Sequence, residues 1–387
     1  MKNSYTVTNR FTLALIILSF LLALIPKHML AQDFKKQTKW GGRLMIDATH
    51  YDYNDAQVTG LEVRRARFFS KGSVAPRISY KLQLDFAGGK VAFKDAYIRC
   101  GNLPYIGGNM TIGNQTDPLS LEQNTSSKYI TLMERSLPTS LFHKRAAGIG
   151  YSNTKLLHGR LGIQASWLDP LGGSLKAPNL KGYTKSATIK ISAMPWLKSN
   201  DNLVYMGVGY STRTLDNNLA FKVHPESHLA PTAISGAVPQ VSSYRLLNFD
   251  FAWVFHALSI QGEYMTNAYQ QDAGQSATAA SYYGTISYFI TGEHRHFKNA
   301  ASGFSRIHPK HNFDPANGQW GAWEVALRYA SMDLSELFDL NPIRDITLGV
   351  NAYLNPYTRV MYNFIRSNYG TADRMANIHQ VRFQIDF

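Results

Sequence analysis

Residues 78–86 have the sequence ISYKLQLDF, in which apolar and polar side chains alternate without interruption. Successive side chains of a β-strand point to opposite faces, so this stretch predicts a strand with one apolar and one polar face. Gly88 and Gly89 follow, and paired glycines favour a turn after the strand.

The same alternating pattern recurs as far as the carboxy-terminus and predicts about sixteen strands. The predicted strands are 40–47, 61–69, 78–86, 91–99, 109–114, 147–152, 159–167, 186–193, 203–211, 244–254, 258–265, 281–289, 322–329, 343–353, 358–365 and 379–387. Connections after even strands are mostly short and those after odd strands mostly longer, as in bacterial membrane barrels. Segment 290–321 breaks this rule, since it should be a short turn, and it predicts either a hidden strand pair or an elaborated turn.

Alternation alone fits both a soluble sandwich and a membrane barrel, because both bury one face of each strand. Aromatic residues make up 12% of the chain and favour the barrel, since many lie at the ends of apolar faces, where membrane barrels carry interfacial girdles. The final strand ends in Phe387, a terminal aromatic of the kind that barrel assembly machinery recognises. The sequence thus predicts an all-β transmembrane antiparallel β-barrel as a single domain.

The amino-terminus has the organisation of a secretory signal. Lys2 and Arg10 precede the apolar run 11–25, and Ala31 ends the segment before Gln32. We therefore expect residues 1–31 to be a cleaved signal peptide and residues 32–387 to form an outer-membrane barrel, with an uncleaved helical anchor as the alternative. The mean hydropathy of −0.23 excludes a bundle of membrane helices, each of which would need about 20 consecutive apolar residues.

The net charge limits the possible binding partners, and the cysteine content limits the possible disulfides. Removing residues 1–31 would lower the net charge from +14 to about +11, because three basic residues and no acidic one are lost. Such a surplus suits nucleic acid, anionic lipid or anionic solutes, and export makes nucleic acid the least expected. Cys100 is the only cysteine, which excludes a disulfide framework.

Several stretches resemble the phosphate-selective porin O/P family, and they occur in order along the chain. They are VRRAR (63–67), KLQLDF (81–86), KDAYI (94–98), 119–137, YFITGE (288–293), GAWE (321–324) and LGVN (348–351). The resemblance implies a homotrimer of outer-membrane barrels, each narrowed by an inward-folded third loop. It also implies basic pore-lining residues that bind inorganic phosphate or other small anions.

By this resemblance the central anion site falls on Arg64, Arg65, Asp95 and Arg135, with Lys81, Lys94 and Lys128 as further pore-lining candidates. Basic side chains suit an anion pore, and the guanidinium fork matches phosphate oxygens. For any one of these basic residues, a solvated position at the barrel rim or a salt bridge inside the barrel is an equal alternative to anion binding.

Two of these positions need a local explanation. Arg64 and Arg65 are adjacent, so only one can face the lumen of a regular strand unless a bulge, a subunit contact or snorkelling intervenes. Asp95 has the wrong charge for an anion site. It either orients nearby arginines and moderates anion binding, or pairs with Lys94 or Arg99.

Two long loops carry further charge. The third loop, 115–146, contains Glu122, Lys128, Glu134, Arg135, Lys144 and Arg145, and this mixture predicts a folded plug. Where the family has an arginine-rich ladder, the fifth loop and its neighbourhood offer only Arg213, Lys222, His224, His228 and Arg245. A general or oligosaccharide porin without strict phosphate selectivity therefore remains an alternative.

Catalytic and metal-binding signals are weak. His294, His296, His308 and His311 lack a recognisable ligand spacing, so a surface patch is preferred and no metal or cofactor is predicted. The chain lacks a G-x-S-x-G motif and a Ser/His pair that alternation places on one face, which makes an outer-membrane hydrolase the less favoured alternative. The sequence predicts a non-enzymatic channel for passive uptake of phosphate or similar anions.

Overall fold

The computed structural model describes residues 36–53, 56–169, 183–215, 218–271, 274–369 and 374–387. Within these ranges sixteen strands close one antiparallel barrel, and each corresponds to one predicted strand. The predicted fold class is therefore confirmed. The predicted signal peptide, 1–31, lies outside the described residues and stays a prediction. None of the described helices is long and apolar enough to cross a membrane.

The barrel follows chain order and closes where the first strand pairs with the last. Its strands are β1 (Gln37–Tyr53), β2 (Ala56–Ala75), β3 (Ile78–Asp85), β4 (Ala92–Gly101), β5 (Asn109–Thr116), β6 (Arg145–Leu156), β7 (Leu161–Asp169), β8 (Tyr183–Ser199), β9 (Asn202–Leu215), β12 (Val241–Phe255), β13 (Leu258–Gln271), β14 (Ser276–Phe289), β15 (Ala322–Asp333), β16 (Ile343–Asn355), β17 (Thr358–Tyr369) and β18 (Arg374–Asp386). A separate hairpin, β10 (Asn218–Val223) and β11 (Ile234–Pro239), lies in the long connection between β9 and β12.

Helical structure in the described ranges is confined to short turns in the connections. In the part of the chain that the structure describes, the one α-helical turn is α1 (Leu121–Asn124), where the side chain of Ser120 accepts a hydrogen bond from the amide of Gln123. The 3₁₀ turns are Ala87–Gly89, Leu137–Ser140, Leu157–Gly159 and Pro315–Asn317.

The strands are apolar outside and polar inside, the reverse of a soluble protein. On β16, Ile346 and Leu348 are 46% and 50% exposed, whereas Asp345 and Thr347, which alternate with them, are fully buried. Lipid-facing side chains of membrane barrels alternate with lumen-facing polar ones in this way. Closure brings the carbonyl of Phe387 2.8 Å from the amide of Gly42, so the carboxy-terminus belongs to the sheet.

Three connections fill much of the interior. The third loop, 117–144, and the β10–β11 hairpin contribute Leu137, Phe142 and Phe221 to one buried cluster. Segment 290–321 contributes Phe297 and Phe304 to a second cluster with residues of the third loop and the wall.

Segment 290–321 is an elaborated turn. It holds only isolated bridges, Phe297 to Phe304 and Asp314 to Gln319, so the alternative of a hidden strand pair is wrong. The turn is long because its first half enters the barrel. The hydroxyl of Ser192 donates to the carbonyl of Ala300 at 2.5 Å, and the amide of Phe304 donates to the side chain of Thr125 at 3.2 Å.

Candidate functional site

A cavity of about 870 Å³ lies in the barrel against the wall formed by β1 to β7. The third loop, the tip of the fifth loop and residues 298–305 complete its lining. Among the described residues, twelve lysine and arginine side chains and only four carboxylates line it. The cavity thus carries a surplus of eight formal positive charges.

The third loop is fixed against the opposite wall. The amide of Glu122 donates to the carboxylate of Glu263 on β13 at 2.7 Å, and the side-chain amide of Asn351 on β16 donates to the carbonyl of Thr131 at 2.9 Å. Arg359 on β17 donates to the carbonyl of Ile130 at 2.8 Å. Because these partners are buried groups on strands far from β3 to β5, the loop lies inside the ring, and the cavity remains between the loop and the basic wall.

A β-bulge turns both adjacent arginines of β2 to the lumen. Met45 pairs with Arg65 and Ile46 with Val63, so Arg64 is the extra residue that the bulge inserts. Nε of Arg64 lies 2.8 Å from Oε1 of Glu134 in the third loop, and Nη2 of Arg65 lies 3.4 Å from Oε2. Of the three explanations expected for the adjacent arginines, the structure has the bulge.

A second register shift has the same effect on β4. Leu82 pairs with Ala96 and Leu84 with Phe93, which leaves Lys94 and Asp95 together opposite one residue of β3. Both side chains line the cavity. The strands β2 and β4, on either side of β3, therefore each present two consecutive charged residues to the same space.

Asp95 pairs with one lysine and one arginine at the cavity. Its carboxylate accepts from Nζ of Lys81 and, at 2.9 Å, from Nε of Arg145. The alternative of a pair with Lys94 or Arg99 is wrong, because the irregular β4 backbone turns Lys94 towards Asp85, 3.7 Å away, and Arg99 donates to Thr111 further along the strand. Asp95 thus orients one lysine and one arginine at the cavity.

Two basic residues of the third loop have roles other than a direct pore contact. Lys128 is not among the cavity-lining residues, a correction to its prediction, because it is directed to Asp386 of β18, the strand beside β1, to which it donates at 2.7 Å. Arg135 lines the cavity, but its Nε and Nη2 donate to the carbonyls of Glu122 and Thr125 at 3.0 and 2.8 Å. Burial lowers the pKa of Arg135 to about 10, so its charge persists at neutral pH.

Six of the twelve cations that line the cavity, Arg43 and Lys144 among them, lack a carboxylate within ion-pair distance in the described part of the chain. Arg43 of β1 donates to the hydroxyl of Ser127 at 2.6 Å, and Lys144 lies at the end of the third loop. Burial, reinforced by Arg135, lowers the pKa of Lys144 to about 7. Arg43 was missed by the sequence prediction, although it alternates with the apolar residues Leu44 and Ile46 and so was detectable.

The fifth loop supplies part of the lining predicted for it. Lys222, His224 and His228 line the cavity, and Nδ1 of His228 lies 2.9 Å from a carboxylate oxygen of Glu62. Arg213 was named with the basic residues of this loop, and that expectation is corrected. The side chain is fully buried in the wall and donates to Asp117 at 2.6 Å.

Arg245 and the histidine patch also lie apart from the cavity. Arg245 is exposed on β12. His294 and His296 have ring centroids 4.2 Å apart in the elaborated turn. In the described ranges, no group of three or more His, Cys, Asp or Glu residues is arranged to hold a metal ion.

A closed barrel with an apolar exterior, a polar interior and a basic cavity bounded by an internal loop defines the porin class. Residues 38–387 match the family model of the phosphate-selective porins O and P. The chain therefore belongs to this family and is a protein of the bacterial outer membrane.

Similar proteins agree with this assignment. Porin O of Pseudomonas aeruginosa is 24% identical over 390 residues, which cover 88% of this chain and 84% of that protein. The anion-selective porin from Comamonas acidovorans superposes with a TM-score of 0.60 at 13% identity, covering 91% of this chain and all of that one. The trimer form of OmpT from Vibrio cholerae gives a TM-score of 0.55 at 11% identity, covering 92% of this chain and 100% of that one. At these identities the structural matches show the fold.

Proposed function

We propose that this porin is an anion-selective channel for the passive uptake of inorganic phosphate or similar small anions. The observation that carries the proposal is the charge of the cavity, where cationic side chains outnumber carboxylates by twelve to four. A lining of one sign concentrates counter-ions in a narrow pore and raises their entry rate. Arg43 and Lys144 add charge that no carboxylate within ion-pair distance neutralises in the described residues.

Arginine geometry supports an oxyanion such as phosphate within this class. Arg64, Arg65 and Arg67 come from one short stretch of β2, and guanidinium groups present paired donors that match phosphate oxygens. The carboxylates of Asp85 and Asp95 lie among the basic groups. They moderate binding so that an ion that enters also leaves, as conduction requires.

The filled half of the barrel supports small solutes over oligosaccharides. The third loop, the fifth-loop hairpin and the turn 290–321 pack into buried clusters, so open space is concentrated beside β1 to β7. A passive channel function, rather than hydrolysis of lipid or peptide, suits this arrangement of cations.

Assembly and export form part of the proposal. We expect the mature chain to begin near Gln32, to form a homotrimer in outer-membrane lipid and to use Phe387 as the signal for the barrel assembly machinery. The trimer form of the similar OmpT supports the oligomeric state. The exposed terminal ring of Phe387 at the end of β18 supports the assembly signal.

Planar-bilayer recording tests the function directly. In a potassium chloride gradient we expect the sign of the reversal potential to indicate a preference for chloride over potassium. We also expect added phosphate to block the chloride current. Arg245→Ala, which removes an exposed charge outside the cavity, is the matched control and should leave both quantities unchanged. A cation-selective or unselective wild-type channel would refute the proposal.

A further inference from the structure

Glu134 of the third loop makes the densest ionic contact at the basic wall. Its carboxylate accepts from Arg64 at 2.8 and 2.9 Å, through Nε and Nη2, and from Arg65 at 3.4 Å. It also accepts from Arg382 of β18 at 2.7 Å. These three guanidinium groups come from two strands that flank β1, and the carboxylate lines the cavity between them.

The contact with Arg64 has the geometry of oxyanion binding. Two parallel N–H donors of one guanidinium reach the two carboxylate oxygens, as they would reach two oxygens of a phosphate. In the described residues Glu134 is the only carboxylate in ion-pair contact with Arg64 or Arg65. Arg382 differs, because Asp47 also binds it, with distances of 2.7 and 2.6 Å.

The backbone around Glu134 is held independently of its carboxylate. Arg328 donates to the carbonyl of Glu134 at 3.0 Å, and Arg382 donates to the carbonyl of Met133. Arg135, the next residue, donates to two carbonyls within the same loop. The loop therefore has several anchors besides the ion pairs that Glu134 makes with β2.

The surrounding guanidinium groups favour the ionised form of the Glu134 carboxylate. Burial by itself raises its pKa, but Arg64, Arg65 and Arg382 outweigh this effect and hold the pKa of Glu134 well below its ordinary value. The side chain of Glu134 retains 13% of its exposure and that of Arg64 retains 19%, so water and small ions in the cavity reach the contact.

We propose that Glu134 is a tethered counter-anion, which occupies the arginine pair of β2 and thereby sets how tightly a permeating oxyanion binds there. This inference rests on the proposed function and deepens it by naming a specificity-determining residue. A phosphate at the cavity must share Arg64 and Arg65 with Glu134 or displace it. Either event weakens binding and shortens the residence of the ion.

The test replaces Glu134 by residues of matched shape or matched charge. Glu134→Gln keeps the size of the side chain and removes its charge, so we expect the phosphate concentration that half-blocks chloride current to fall about tenfold. The reversal potential should shift further towards the value of a perfectly anion-selective channel. Glu134→Asp retains the charge and should remain near the wild type.

Glu336→Gln supplies a matched control outside the cavity. It removes a carboxylate that accepts only from the amide and hydroxyl of Thr278 at 2.8 and 2.7 Å among the described contacts, so phosphate block and reversal potential should stay at their wild-type values. Glu134→Ala provides a second measurement of the same block without placing an amide among three guanidinium groups. Heat-modifiable migration in gels verifies that each variant is an assembled barrel.

The outcomes separate this inference from the proposed function. A wild-type channel without anion preference or phosphate block refutes the proposed function. A selective wild type whose Glu134→Gln and Glu134→Ala variants keep its block and reversal potential overturns only the role of Glu134. Greater conductance with unchanged selectivity also overturns it, because that result assigns Glu134 a purely structural role in holding the loop.

Discussion

The two halves of the barrel use the same residue types for different purposes. On the wall covered by the third loop, Lys190 binds Asp250, Arg328 binds Glu226 and Arg382 binds Asp47, and these side chains are at most 2% exposed. On the open wall, Arg64, Lys81 and Lys94 retain 19% to 27% exposure. An inward arginine is therefore structural where a loop covers it and available to a solute where the lumen is open.

The difference follows from the energetics of burial. A charge removed from water needs a partner and further hydrogen bonds, so Lys190, Arg328 and Arg382 of the covered wall each have a carboxylate. Arg359 instead donates to the carbonyls of Ile130 and Thr131. Charges at the water-filled cavity keep part of their hydration and tolerate an excess of one sign. The open wall can therefore accumulate Arg43, Arg67 and Lys94, whereas the covered wall cannot.

The largest expected effect is on stability, at Arg328 of the covered wall. Arg328→Ala leaves Glu122 and Glu226 buried without their shared cation, so we expect the free energy of unfolding to fall by about 3–5 kcal/mol. Urea titration of the barrel refolded in lipid vesicles measures this change. Arg67→Ala on the open wall is the matched comparison and should cost much less. Equal losses for the two variants would contradict the division between the walls.

The next effect is on phosphate binding, at the arginine pair of the open wall. Arg64→Ala with Arg65→Ala should raise the half-blocking phosphate concentration by about tenfold or more, because two charge-assisted donors and their fork geometry are lost. General anion preference should survive, since the cavity keeps ten other cationic side chains among the described residues. Chloride current recorded with added phosphate tests this expectation. Arg135 is unsuitable for such a test because it also holds the third loop.

Much of the fold was predictable because period-two alternation is a local property. The run at 78–86 and its repeats gave the order of the strands and the lumen-facing direction of Lys81. The adjacent pair Arg64 and Arg65 showed that a regular strand was insufficient. The bulge itself depends on pairing with β1 and could be named only as one option.

Local sequence patterns could not predict the ion-pair partners of the charged residues. The contact of Glu134 with Arg382 joins residues 248 positions apart, and Lys128 meets Asp386 across a separation of 258. Such pairs are set by the path of the third loop through the barrel, which depends on tertiary packing. For the same reason the elaborated turn 290–321 was visible as an anomaly in length, but its entry into the interior was not.

The smallest expected effect is a pH dependence that arises at the junction of loop and open wall. Lys144 lies near Arg135 and Glu134 of the third loop and near Arg64 and Arg65 of β2, and burial lowers its pKa to about 7. A lysine with a lowered pKa is charged below that value and neutral above it. Raising the pH from about 6 to about 8 should therefore remove one positive charge and reduce the chloride-to-potassium permeability ratio modestly, about 1.5-fold.

Chloride is the suitable ion for this measurement, because phosphate itself changes charge in the same pH range. Lys144→Arg keeps its charge throughout and should give a flat, high permeability ratio, whereas Lys144→Met should give a flat, low one. His224 lines the same cavity, and burial lowers its pKa below the ordinary value, so its titration moves towards lower pH than that of an unperturbed histidine. A pH dependence that persists in both lysine variants would assign the titration to another group. Lys144 would then keep one charge state across this range and contribute nothing to the pH dependence.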